Sequence, residues 1–170
     1  MLHYRFLLGT TDYVELEDVL EVAESSFQRL TQAEKAQGNH VMADILDATG
    51  LLWAHRGFFI RALPHMRQCN KLRTEDPAKS WVAISWSEGD LGNVLASAGE
   101  YGEALEWVLK AEETRRNIED DNDAIKSAAV LHKNIGNCHA FLNQFAEAEE
   151  RLELARKEFE GSKNWAMLAS

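Results

Sequence analysis

The chain has 170 residues, 45% hydrophobic and 27% charged, which suits one globular domain with a substantial core and excludes intrinsic disorder. A net charge of −10 disfavours nucleic acid and anionic membrane surfaces as partners. Two cysteines, Cys69 and Cys138, make no disulfide framework and fit a reducing, cytoplasmic interior, and no apolar run approaches a membrane span. The apolar start, Met1 to Leu8, is short and lacks a small-residue cleavage site, so no signal peptide is expected.

In chain order, Asp12 with Glu15 has capping-box spacing, and Val14, Leu16, Val19, Leu20, Ala23, Phe27 and Leu30 form a helical stripe. This predicts a lone helix, or half-repeat, over 13–37, stopped at Gly38-Asn39. A first hairpin follows over 40–75, with helices from His40 to His55 and from Phe59 to Arg73; Pro64 inside the second predicts a kink or a frayed start. Asp76-Pro77 reads as the N-cap and first residue of the next helix, opening a second hairpin over 77–120. The polar run Asp120 to Asp123 breaks the chain and caps a third hairpin over 123–161, with helices from Ala124 to Leu142 and from Phe145 to Glu160. Residues 164–170 read as the start of a further, truncated helix, all within a single repeat domain over 1–170.

The three hairpins share a register. Gly50, Gly92 and Gly136 lie 42 and 44 residues apart, and each is followed seven residues on by Gly57, Gly99 or Asn143. Two further come the aromatics Phe59, Tyr101 and Phe145, and three after those come Ala62, Ala104 and Ala148. A fixed period in this range marks a helical repeat array, in which each hairpin leaves an apolar face that its neighbour covers. The glycine and alanine let two helices approach, the aromatic fills the wedge between hairpins, and the Gly or Asn of the turn tolerates a left-handed backbone.

Leu91-Gly92 with Tyr101 and Ala104 resembles the tetratricopeptide repeat (TPR) pattern; Ile135-Gly136 with Phe145 and Ala148 matches again, and Thr49-Gly50 with Phe59 and Ala62 more loosely. The period exceeds the 34 residues usual for that family, so the likeness is to its long-repeat branch, similar to kinesin light chains or to MalT-like sensor arrays. The resemblance implies an all-α fold, an α-solenoid of antiparallel hairpins wound as a right-handed superhelix. It also implies a groove, lined by the first helix of each hairpin, that holds a peptide or protein segment. In long-repeat members, asparagines beside the repeat glycine pair with a peptide backbone; here the matching residues are Asn93 and Asn137, with Asn134 nearby. An amide offers both donor and acceptor and so suits a main chain of any sequence. Lys133 resembles one part of a carboxylate clamp, and Trp86 and Phe141 supply apolar contact. The bland alternative is that these are solvated residues on an exposed helix face.

Other chemistry finds less footing. His132 and His139 lie two helical turns apart, about 10.5 Å along the axis, too far to share one ion, so no metal is expected. His139 reads as a packed inward residue, and Trp53 and Trp107 read as core. Trp81 and Trp86, five apart, cannot both face one core line. The carboxylates Glu147, Glu149, Glu150 and Glu153 decorate an outer face without converging, and neither a phosphate-binding glycine loop nor a nucleophile signature is present. The reading is therefore a non-catalytic interaction module with no cofactor. The alternative is a structural segment that assembles with itself, or within a larger signalling protein, through its apolar ends at Leu2 to Leu8 and Trp165 to Ala169.

Overall fold

A computed structural model describes residues 13–31, 38–118 and 122–161, with side chains from Glu17 in the first segment and from Ala128 in the third. The described residues form seven α-helices and no strand: α1 (Tyr13–Gln28), α2 (Asn39–His55), α3 (Phe59–Glu75), α4 (Trp81–Ser97), α5 (Tyr101–Arg115), α6 (Asn122–Phe141) and α7 (Phe145–Gly161). The apolar ends, the Asp12 cap, the stub over 164–170 and part of the Asp120 cluster lie outside the described residues. The chain divides into two compact units, Met1–Ser80 and Trp81–Ser170. Helices α2–α3, α4–α5 and α6–α7 are the three hairpins, each packed as a close pair.

Each hairpin turns by the same backbone device. Two residues past the end of each first helix stands a residue of positive φ: Gly57 at 80°, Gly99 at 90° and Asn143 at 60°. The amide after it donates back five residues, Phe58 N to Trp53 O, Glu100 N to Leu95 O and Gln144 N to His139 O, at 2.8–2.9 Å. The left-handed residue donates to Ala54 O, Ala96 O or Ala140 O in turn. This is the Schellman pattern, which satisfies the last carbonyls of a helix and needs a residue that tolerates positive φ. The second helix then starts at once, on Phe59, Tyr101 or Phe145.

Within each hairpin the glycine faces its partner helix. A Cβ on Gly92 would stand 2.5 Å from Val108 Cγ1 and 3.2 Å from Ala104 O; one on Gly136 would stand 2.7 Å from Leu152 Cγ and 3.2 Å from Ala148 O. On Gly50 it would fall onto Met66 Sδ and lie 3.4 Å from Ala62 O. Ala62, Ala104 and Ala148 are all buried. The partner helix leaves little room for a side chain at these points, so one added there has to displace its neighbour.

Several local expectations give way to packing. Helix α1 stops at Gln28 instead of continuing to residue 37, with Leu20 and Phe27 turned inward and Val19 exposed. Asp76-Pro77 does not open α4: Asp76 caps the end of α3, its carboxylate accepts from the Ala78 amide at 2.9 Å, and the helix begins at Trp81. The same side chain that could cap a helix closes a turn here. Helix α3 is assigned continuously through Pro64, which lies in its second turn.

In the first unit, Leu20 of α1 packs on Ala48, Leu51 and Leu52 of α2, and Phe27 on Met42, Ala43 and Leu46 with Cys69 and Leu72 of α3. Arg73, on α3, is buried and donates to Asp44 Oδ1 at 3.0 Å and Asp47 Oδ2 at 3.3 Å, both on α2. Burial by itself would loosen its proton, but the adjacent charges of Asp47 and Asp44 outweigh that and hold it tighter than usual. In the second unit, Leu91, Val94 and Leu95 of α4, Val108 and Ala111 of α5, and Ala129, Leu131, Ile135 and Cys138 of α6 are buried. Ala129 joins Ala155 and Phe159 of α7 in one cluster.

Candidate functional site

Helices α4 and α6, the first helices of the two hairpins in the second unit, carry the candidate site. They meet closely: a Cβ on Gly89 would stand 3.3 Å from Leu131 Cδ2. From Ile84 to Leu95, α4 is buried on every side except at Trp86, Asp90 and Asn93. The spacing of four and three places these on one helical face, continued one turn on by the exposed Ser97. The register 44 residues later is Val130, Asn134, Asn137 and Phe141 on α6, and none of these is buried either. Asn93 and Asn134 are half-buried and Asn137 exposed. The Nδ2 of Asn134 is fully shielded from solvent and has no hydrogen-bond partner, a donor left unsatisfied. Lys133, half-buried, flanks the stripe.

The stripe is chemically mixed: three side-chain amides, one carboxylate at Asp90, and an indole at one end. The aromatic at the other end, Phe141, lies flat on Tyr101 of α5, with ring centroids 4.3 Å apart and planes 6° apart, yet stays 61% exposed. Tyr101 thus reaches the following hairpin, whereas Phe145, its counterpart on α7, is 67% exposed. In the first unit the equivalent register on α2 is Asp44, Ala48, Leu51 and His55, and Ala48 and Leu51 pack with Leu20. The amide pattern therefore belongs to the second unit. Sequence reasoning passed over Asp90; its signal was there, 44 residues before Asn134.

A second polar cluster joins the two hairpins behind this face. His132 of α6 has Nε2 3.0 Å from Glu112 Oε1 on α5 and Nδ1 3.0 Å from Glu158 Oε2 on α7. Arg151 of α7 donates to the same Glu112 oxygen at 2.6 Å. Burial alone would push the Glu112 carboxyl up, but the hydrogen bonds and charges of Arg151 and His132 outweigh it and hold Glu112 below the usual carboxylate range. On α4, Glu88 is buried; one oxygen accepts from Lys110 Nζ at 3.1 Å and the other has no partner.

Three expectations about individual side chains are corrected. His139 is not packed inward: it is half-buried, with Nδ1 2.7 Å from Gln144 Oε1 in the turn. Trp107 is not core but half-buried, its Nε1 donating to Glu103 at 3.2 Å and the Lys110 ammonium 4.5 Å over its ring. Trp53, also half-buried, lies edge-on to Phe58, with the Arg56 and Arg61 guanidiniums 5.2 and 5.1 Å from its centroid. Long cationic side chains cover these rings more readily than a second helix can. Among the described residues, no group of three or more His, Cys, Asp or Glu side chains could hold a metal ion, and no helix is long and apolar enough to cross a membrane.

Paired antiparallel helices in a repeated register, with close-packed glycines and Schellman turns, define an all-α helical-repeat protein of the α-solenoid class, and the hairpins fit a TPR-like repeat. Among solved structures, the apo form of RapI superposes with a TM-score of 0.77 at 19% identity, over 95% of this chain and 55% of that chain. At that identity the likeness establishes the fold alone. The present chain spans about half the length of that structure. No family model matches the sequence. No curated protein matches it either.

Proposed function

We propose that this chain is a non-catalytic protein-interaction module of the long-repeat TPR type. Its α4 and α6 stripes together hold a peptide or protein segment. The observation that carries this reading is the stripe itself. On two neighbouring helices, otherwise mostly buried, equivalent positions 44 residues apart are left uncovered and hold amides at Asn93 and Asn137. Asn134, half-buried three residues before Asn137, adds a third side-chain amide to the same face. Trp86 would contribute apolar contact and Lys133 a cationic edge. A random peptide library should yield binders, and Asn93→Ala with Asn137→Ala should weaken the best of them about tenfold or more, the cost of roughly two net hydrogen bonds. Binding untouched by the double variant would sink the groove assignment.

A second reading is assembly through the ends of the stack, with copies of this chain or within a larger regulatory protein. Its support is that Phe145 is exposed where its counterpart Tyr101 is stacked, and that Val22 is 65% exposed on α1. Light scattering across a concentration series should then show a rising mass; a monomer at every concentration removes self-association.

A further inference from the structure

The cluster around His132 has a property that the groove does not explain. Each ring nitrogen stands 3.0 Å from a carboxylate oxygen, Nε2 from Glu112 and Nδ1 from Glu158. An ionised carboxylate only accepts, whereas a neutral imidazole has one N–H and one lone pair. One of the two contacts would then set lone pair against lone pair. Both are satisfied when each nitrogen carries a proton. We infer that His132 is a doubly protonated pin joining α5, α6 and α7, so that the stacking of the two hairpins in the second unit is proton-dependent.

The charges around it agree. Glu112 faces it from α5 and Glu158 from α7, while Arg151 reaches it from α7 through Glu112. With His132 protonated these four groups sum to zero; with it neutral they leave one uncompensated negative charge where His132 and Glu112 are 12% and 14% exposed. The contact from α4, Gly89 against Leu131, is apolar and adds no charge. The Glu88–Lys110 pair links α4 to α5. The sign follows. The pin holds while His132 is charged and weakens as pH rises and the ring loses its proton. On the acid side Glu112, held below its ordinary range, contributes above that range, and its share is lost as pH falls through the depressed value. This behaviour is independent of what the groove binds.

The test is nitrogen NMR of the full chain labelled at histidine. Near neutral pH, with the carboxylates ionised, both ring nitrogens of His132 should show protonated shifts; one unprotonated nitrogen overturns the inference. Melting followed by circular dichroism gives a second readout. The wild type should lose about 2–6 °C more between pH 6 and pH 9 than Glu158→Gln, whose amide can donate to a neutral ring. Equal losses in the two proteins would also overturn it. Should Glu158→Gln fail to fold, Glu158→Asn serves the same comparison, and the NMR measurement needs no variant.

Discussion

Arg73→Ala should lower the unfolding free energy by about 3–5 kcal/mol, the usual cost of stripping one partner from a buried ion pair. The guanidinium bridges two acids of the opposing helix, and Asp47 is only 1% exposed. Without Arg73 that carboxylate is left buried against α3 with its main neutralising charge gone. Asp44, with about a third of its side chain exposed, can turn to water and loses less. A control separates charge from volume: Arg73→Met combined with Asp47→Leu removes both buried charges and should recover most of the loss. Urea denaturation followed by helical circular dichroism measures all three proteins. An Arg73→Ala cost below about 1 kcal/mol would show that the pair is not buried as described.

Gly92→Leu should cost about 3 kcal/mol or more, the upper end of overpacking in a core. A single Cβ already meets Val108 Cγ1 at 2.5 Å, and the partner backbone at Ala104 O and Val108 N lies within 3.3 Å. Val108 is fully buried and β-branched, so it has no alternative rotamer into open space. The contrast with Gly136 sharpens the expectation. Its nearest neighbour is Leu152, 38% exposed and free to swing outward, so Gly136→Ala should be close to neutral once about 1 kcal/mol of helix propensity is credited. Gly92→Ala should be destabilising despite the same credit. Paired thermal melts decide it: a melting temperature that rises for Gly92→Ala would contradict the packing, because the clash would then be smaller than the propensity gain.

The functional consequence of both substitutions differs by unit. Arg73 lies in the first unit, whose helix register lacks the amide stripe, whereas Gly92 sits beside Asn93 on the helix that carries it. Forcing α4 and α5 apart at Gly92 should therefore move the stripe as well as destabilise the fold.

Much of the hairpin layout is legible in the amino-acid sequence itself. The turns at Gly57, Gly99 and Asn143 depend on one backbone conformation, and the residue types that tolerate it are few, so the signal is local and strong. The starts of α3, α5 and α7 follow at once from those turns, and the glycine period gave the helix pairing. Legibility failed where one residue type serves two local purposes, as at Asp76, which closes a turn at the end of α3 instead of capping α4. The candidate stripe was half legible: Asn93, Asn134 and Asn137 follow the repeat register, but which faces stay open depends on what the neighbouring helices cover, and so Asp90 was missed.

Local chemistry and periodicity were thus enough for most of the helices, their turns and their repeat register, because the turns are set by residues within a turn or two of one another and the register by a pattern recurring every 42–44 residues. The charged contacts lay beyond that reach. Arg73 finds Asp44 across 29 residues, His132 finds Glu112 and Glu158 across 20 and 26, and Arg151 finds Glu112 across 39. His132 as a sequence position offered only a spacing to His139. Its two carboxylate partners come from the helices before and after it, and only the packing of three helices brings them to either side of one ring.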